Sequence, residues 1–357
     1  MVDNVNDIVL SIVIMRRNSY YCLLIFISQL LCGCHKYESY LDMFSVTEKK
    51  QLQLLEDFPI DSLDKPEIIL STNSHLVFLE PLNEHQLKLY NKSTKEFSHF
   101  LKRGQGPDEA VNIQTIGYKD DTNEIYATDL PTQSLFFISD DTKAGSLMRR
   151  YKTPFKQRFC DVVFDGDLSF FLQSAGEERF LFSSADTTFA FGEDIYIPGI
   201  KPEVVQKSLQ GPCAISPDRK LFAGFSAYGD VMQIYDYSRP DDIRCVCSHV
   251  CSLPIITAED GEMNLKTKLG VTSVAADAEY IYVLYNENIL LDALKNRDRL
   301  FFSDKVLVFT WDGEARAVLQ LDRPVKSITY DKSQNRVLCL GLNDDFSYGV
   351  FYFIGVR

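Results

Sequence analysis

From about Glu67 onward the chain alternates short runs of β-branched, aromatic and leucine residues with clusters of turn residues. That pattern predicts strands joined by tight turns. Paired runs recur as hairpins: HLVFLEPLNEHQLKLYNKS from His75, EIYATDLPTQSLFFISDD from Glu124, DLSFFLQSAGEERFLFSS from Asp167, KLFAGFSAYGDVMQIYDYS from Lys220 and RVLCLGLNDDFSYGVFYFIG from Arg336. A sixth pair, YIYVLYNEN from Tyr280 and KVLVFTWDG from Lys305, is split by an insertion. Successive hairpins start roughly 43 to 60 residues apart, a period that marks a repeat architecture. A propeller blade is a four-stranded sheet, and at about 50 residues per blade six blades fill residues 57–357.

The run before five of the hairpins is short, apolar and small-hydroxyl: NIQTIGY from Asn112, DVVFDG from Asp161, CAISPD from Cys213, VTSVAAD from Val271 and VKSITYD from Val325. Such strands suit the crowded edge of a blade nearest the axis. No long amphipathic helix interrupts the region, which argues against an α/β fold. The sequence therefore predicts an all-β chain, a six-bladed β-propeller.

The N-terminal part reads differently. Arg16 and Arg17 precede an apolar run from Tyr20 to Leu31, and Cys34 follows the small residue Gly33. A basic segment, a short apolar core and a small residue at the cleavage point make a secretory signal over residues 1–33. The apolar run is shorter than the ~20 residues of a membrane span. Asp3 and Asp7 suit the leader poorly, which points to Met15 as the true start. The cysteine after Leu31-Cys32-Gly33 resembles the bacterial lipobox, which implies lipidation of Cys34 as the new N-terminus. Residues 34–56 are then expected to be a tether, with Ser45–Phe58 forming a short helix or tether segment ahead of the first blade.

The stretch LKRGQGPDEA, Leu101 to Ala110, followed by a strand and then by EIYATDLPTQSLFFIS, resembles the TolB-like six-bladed propeller lipoproteins of Bacteroidetes, which are related in style to NHL-repeat propellers. In those families a Gly-Gln-Gly-Pro-x-Glu turn leads into a blade, and an aromatic-containing strand ending in Asp follows. Arg103 to Glu109 match the turn and Ile125 to Asp129 the strand, with Ala110 in place of a frequent aromatic. VFTWDGEARAVLQLDRPVKSITYD resembles their late-blade pattern. The resemblance spans Glu67 to the C-terminus and implies an envelope lipoprotein of a Gram-negative bacterium.

Chemistry enters last and changes little. The net charge of −13 is unbroken by any basic run, which disfavours nucleic-acid partners. Gly104-Gln105-Gly106-Pro107 is a bare GxG that runs into the β-branched segment Val111–Ile116 rather than into the helix a phosphate loop must open. Gln210-Gly211-Pro212 repeats it, again directly before a strand. A motif recurring with the blades is expected to be a structural turn, in which glycine supplies unusual dihedrals and proline fixes φ.

Cys245, Cys247, His249 and Cys251 alternate, so in a strand they share a face. At ~3.3 Å per residue they are spread too far for tetrahedral zinc, and buried thiols are expected; a loop would revive the metal reading. The other mature cysteines, Cys160, Cys213 and Cys339, do not form a disulfide framework. Asp129 is expected to cap turn amides. His75, His85, His99 and His249 show neither HExxH spacing nor an evident partner, and no GxSxG occurs. Near the axis only Asp161, Thr115, Ser273 and Ser327 are polar candidates, and one carboxylate cannot hold a divalent cation. The insertion Asn286–Asp304 is either a groove-lining loop or a packing helix with Ile289, Leu290, Ala293 and Leu294 on one side.

These features favour an exported, lipid-anchored module without catalytic residues, metal or cofactor, which meets the membrane through its lipid and binds a protein, peptide or glycan. The alternative is a propeller hydrolase or lyase with its site at the channel mouth. Fold alone does not choose between them.

Overall fold

The second strand of nearly every sheet is buried along its whole length rather than on alternate residues, as in His75–Leu79, Leu221–Phe225 and Tyr280–Tyr285. A strand reads so when sheets cover both of its faces. The computed structural model describes residues 37–59, 62–141, 148–153, 158–173, 176–257, 261–295 and 300–356. The leader 1–33 and Cys34 lie outside the described residues. No described helix is long and apolar enough to cross a membrane.

Two strands come first, β1 (Thr47–Lys50) and β2 (Gln53–Asp57). Blade 1 holds β3 (Ile68–Ser71), β4 (His75–Leu79), β5 (His85–Asn91) and β6 (Phe97–Arg103), with the two-residue β7 (Glu109–Ala110) beside β6. Blade 2 is β8 (Ile113–Lys119), β9 (Glu124–Asp129), β10 (Ser134–Ser139) and β11 (Met148–Lys152). Blade 3 is β12 (Phe159–Asp165), β13 (Leu168–Gln173), β14 (Phe180–Ser183) and β15 (Thr188–Phe191). After helix α1 (Pro202–Ser208), blade 4 is β16 (Cys213–Ile215), β17 (Leu221–Phe225), β18 (Asp230–Asp236) and β19 (Arg244–Ser252).

Blade 5 opens with β20 (Val271–Ala276) and β21 (Tyr280–Tyr285) and, beyond helix α2 (Leu290–Lys295), continues with β22 (Ser303–Thr310). The long β23 (Ala315–Asp331) is the outer strand of blade 5 over its first half. Past Pro324 it becomes the inner strand of blade 6, against β24 (Arg336–Leu342) and then β25 (Tyr348–Phe353).

Every sequence hairpin is the second and third strand of a blade, and every short hydroxyl-bearing run is an innermost strand. The expectation for Ser45–Phe58 fails. The segment is neither helix nor tether: β1 lies parallel to β23, with Thr47 opposite Val318, and β2 is the missing outer strand of blade 6, with Leu54 opposite Phe351. Tyr40–Met43 is already a 3-10 turn whose Tyr40 ring is fully buried between blades 4 and 5. The physical reason is pairing. The last blade supplies only three strands of its own, and the N-terminal strand satisfies the open edge of β25.

Alternate side chains of the middle strands face opposite neighbours. In β4, Val77 and Leu79 pack toward blade 2, whereas Leu76 and Phe78 pack toward blade 6. One apolar cluster fills each of the six blade interfaces, including blade 6 against blade 1, so the ring is closed. Polar clasps at the third strands set the order: Gln86 holds Ala110 O and Ile113 N at 2.7 and 2.8 Å, and Gln133 holds both backbone groups of Phe159. In blade 3 the fully buried Arg179 reaches Leu209 O and Phe225 O of the next blade.

The ring has two faces. On the crossover face the chain passes from blade to blade and second strands turn into third strands. On the opposite face the inner strands end.

Candidate functional site

Inner strands leave room near the axis only for small side chains, and their hydroxyls join one strand to the next. Ser327 Oγ accepts from Ile69 N at 3.3 Å, and Thr329 Oγ1 accepts from Ser71 N at 3.2 Å. Ser273 Oγ accepts from Ile328 N at 3.0 Å and lies 3.3 Å from Ser327 Oγ. Two of the four axial candidates are thus backbone staples.

The other two sit across the channel. Asp161, on β12, accepts from Val162 N at 2.8 Å and touches the narrow channel on one side. Burial pushes its carboxyl up to about 6, against weaker opposing contributions from the Val162 amide, the Thr115 hydroxyl and the Cys213 amide. Thr115 Oγ1 is buried and makes no well-aligned hydrogen bond.

Where the inner strands end, the channel widens into a cavity of about 620 Å³. Its walls are Ile215, Ala275 and the rings of Tyr118, Tyr126, Phe164 and Tyr330; its rim carries Asp120, Asp121, Asp165 and Asp218. Most of that acidity is matched. Lys332 lies 3.4 Å from Asp120, Lys119 lies 3.7 Å from Asp121, and Lys220 pairs with Asp165. Tyr118 is fixed by Asn73 Nδ2 at 2.9 Å and by Asn123, and burial pushes its phenol up to about 12.

Two pairs near this mouth were not visible in the sequence. Ser71 lines the cavity, and Lys92 Nζ donates to its Oγ at 2.9 Å and to Thr72 O at 2.6 Å. Burial lowers the Lys92 pKa, offset in part by Asp331 3.7 Å away. Beneath them His75, read from sequence as without an evident partner, has one: its Nδ1 is 2.9 Å from Asp140 Oδ1, and both are buried. Burial alone would raise Asp140, but hydrogen bonds from His75, Thr72 Oγ1 and Ser74 N outweigh it and hold the carboxyl below its ordinary value. The pair is 65 positions apart, and only the packing of blade 2 on blade 1 joins it.

The remaining sequence candidates lie elsewhere. Gly104–Pro107 forms the crossover from β6 to β8. Gly106 N donates to Glu109 Oε2 at 2.8 Å and Gly104 N to Ala110 O at 3.1 Å. A Cβ on Gly104 would lie 1.9 Å from the Glu109 carboxylate, so the turn's glycines and its glutamate require one another. Gln210-Gly211-Pro212 leads into β16, where a Cβ on Gly211 would meet backbone atoms of Phe225, Ser226 and Ala227 at 2.5 to 2.9 Å.

Asp129 is fully buried and accepts from Asn112 N at 3.0 Å, Val111 N at 3.2 Å and Thr132 Oγ1 at 2.6 Å, capping the start of β8. The expectation that Cys245, Cys247, His249 and Cys251 share a face of β19 fails: an irregularity between Cys245 and Cys247 turns Cys245 toward blade 3, whereas Cys247 and Cys251 pack toward blade 5 and His249 Nε2 lies 2.8 Å from Gly313 O. Burial pushes each of the three thiols up to about 11. His85 and His99 face each other on blade 1, ring centroids 5.8 Å apart. The insertion Asn286–Asp304 contains the packing helix α2, with Ala293 buried, on the crossover face and away from the cavity.

Among the described residues no three His, Cys, Asp or Glu side chains gather closely enough to share a metal ion. No curated protein matches the chain. In fold it is similar to a Bacteroides fragilis protein classed as exported (12% identity, 87% of this chain, 99% of that one, TM-score 0.52). It also aligns with a DUF4221-family member from Bacteroides vulgatus (13%, 86% and 98%, TM-score 0.49) and with a streptogramin B lyase (11%, 86% and 88%, TM-score 0.47). Residues 44–333 match the family described as TolB-like 6-blade propeller-like.

Proposed function

The chain belongs to the TolB-like six-bladed propeller family, and on that premise we propose that it is an exported, lipid-anchored binding module. It takes a peptide or glycan segment into the mouth of its channel. The observation that carries this reading is the cavity itself. Its volume is in the range of ligand sites, which combine apolar and aromatic walls with a few polar groups. With its rim acids mostly matched by lysines, the mouth suits a neutral polar ligand better than a cation.

The leader 1–33, ending just before Cys34, supports placement in the envelope of a Gram-negative bacterium, held by lipid at the periplasmic face or the cell surface. Binding to arrayed peptides and oligosaccharides, followed by calorimetry, tests the site. Tyr330→Ala and the exposed-rim variant Asp218→Asn should each weaken binding about ten-fold, the 1.4 kcal/mol scale of one lost contact. Unchanged affinity in both sinks the site. Palmitate label retained in Cys34→Ala sinks the anchor.

The enzyme alternative has one specific support, the Ser71–Lys92 contact at the cavity wall, because a serine beside a lysine of lowered pKa is a known nucleophile arrangement. Covalent labelling by an acylating probe that disappears in Ser71→Ala, with ligand turnover, would establish that reading instead.

A further inference from the structure

The exposed apolar side chains are not spread evenly over the ring. Among the described residues the three most exposed large hydrophobics are Tyr196 at 76%, Phe346 at 71% and Leu82 at 67%. All three are on the crossover face: Tyr196 between β15 and α1, Phe346 between β24 and β25, Leu82 between β4 and β5. Ile255 and Leu265, in the connection from β19 to β20, and Leu291 on α2 add to the same face. Their loops are knitted together, with Asn264 N donating to Ile255 O and Leu291 N to Leu265 O, both at 2.8 Å.

Phe346 stands out further, because φ is +66° there and a bulky side chain rarely adopts such a backbone. Its loop is locked by Ser347 N and Oγ on Asp345 Oδ1 and by Asn343 Nδ2 on Ser347 Oγ. A loop so fixed displays an aromatic ring outward.

The N-terminal link starts from this same face. Ser39 is pinned there by Lys268 Nζ at 2.8 Å, Tyr285 OH lies 3.2 Å from its Oγ, and the next residue's amide donates to Asp230. Cys34 is five residues upstream, so an acyl chain on it is held within at most about 18 Å of Ser39, at ~3.6 Å per extended residue. A link that short cannot let the ring float free of a bilayer.

We propose that the crossover face is a membrane-contacting surface. Its loop side chains seat in the headgroup layer of the bilayer that holds the Cys34 lipid, so that the channel mouth points away. The inner strands run between the two faces, which sets the mouth about 20 Å beyond the contact surface, at ~3.3 Å per residue over β8. The loops carry both signs of charge, Lys201, Lys266 and Lys295 beside Glu262, Asp292 and Asp344, and no polybasic run. Apolar seating rather than attraction to anionic lipid is therefore the contact.

The inference rests on lipidation of Cys34, and the test separates the two. Full-length chain is reconstituted into vesicles of zwitterionic phosphatidylcholine brominated in its acyl chains, with acylation read by mass spectrometry. Native Trp311 is fully buried and gives a constant background. Tryptophan placed by Phe346→Trp or Leu265→Trp should be quenched about two-fold, as for a side chain at the headgroup–acyl boundary. Tryptophan placed by Ile354→Trp, at the end of β25 on the mouth side, should report no more quenching than Trp311. A chain that carries no acyl group overturns both readings. An acylated chain quenched equally on both faces, or on neither, overturns the membrane-contacting surface alone; in the second case a protein partner takes the face.

Discussion

Asp161→Asn should stabilise the protein at neutral pH. The aspartate lies in the wall of the channel, and burial raises its carboxyl to about 6 from the ordinary value of 3.8. Between about pH 4 and pH 6 the folded chain therefore holds a proton there that the unfolded chain has released, and above that range it carries a buried charge. Because the folded value is the higher one, the group's favourable contribution is complete below about pH 4 and is lost as pH rises through about 6. Two units at 1.36 kcal/mol each give about 3 kcal/mol as an upper bound, and contact with channel water reduces this to about 1–2 kcal/mol.

Asparagine keeps the acceptor for Val162 N, gains a donor that can satisfy Thr115 Oγ1, and carries no charge. Urea unfolding of parent and variant at intervals from pH 4 to pH 8, under reducing conditions, reads the difference directly. The variant should match the parent near pH 4 and exceed it by about 1–2 kcal/mol at pH 7.5, the window set by the two pKa values. A variant less stable at pH 7.5, or a difference that does not change with pH, would refute the account of Asp161 as a carboxyl held against its charge.

Other substitutions test the frame around the site. Gly211→Ala should cost about 3 kcal/mol or more in unfolding experiments, because its Cβ meets only backbone. Gly104→Ala should cost about 1–2 kcal/mol, since the Glu109 side chain can swing aside and forfeit its bond to Gly106 N. Tyr40→Ala should lower stability by about 3–5 kcal/mol in thermal or urea unfolding, as for a deleted buried ring, if the N-terminal turn is part of the fold. Cys245, Cys247 and Cys251, pushed up to about 11, should react with a disulfide reagent at pH 8 far more slowly in the native chain than in urea; equal rates would contradict their packing.

Why the blades were legible and the site was not follows from where each signal resides. A middle strand such as β21 packs both faces against neighbouring blades, so it reads as an unbroken apolar run in one short window. Innermost strands show their small hydroxyls for a related reason, since Ser273 and Ser327 must fit near the axis and hold the adjoining backbone. In contrast, β1 is Thr-Glu-Lys-Lys, half exposed at the outer edge, and its local sequence carries no strand signal. Its partner, like that of β2, lies near the other end of the chain. Asp161 could be picked out as the lone carboxyl near the axis, yet its company of Thr115 and Cys213 comes from two other blades. Ser71 and Lys92 meet within the sheet of blade 1, and His75 and Asp140 through the packing of blade 2 on blade 1, so both pairs are invisible to any motif of fixed spacing.

The pairing of β2 with β25 bears on how the molecule comes into being. Synthesis from the N-terminus delivers Gln53–Asp57 first and Tyr348–Phe353 last. Until the final segment emerges, β2 has no edge to join and blade 1 lacks the apolar neighbour that Leu338, Leu340 and Val350 supply. An incomplete chain is therefore an open arc with two unpaired margins, the form most exposed to proteases and to chaperones. Release of the C-terminus and completion of the last sheet become a single event. A chain shortened by even one C-terminal strand would stay in that vulnerable form, however well its first five blades had assembled.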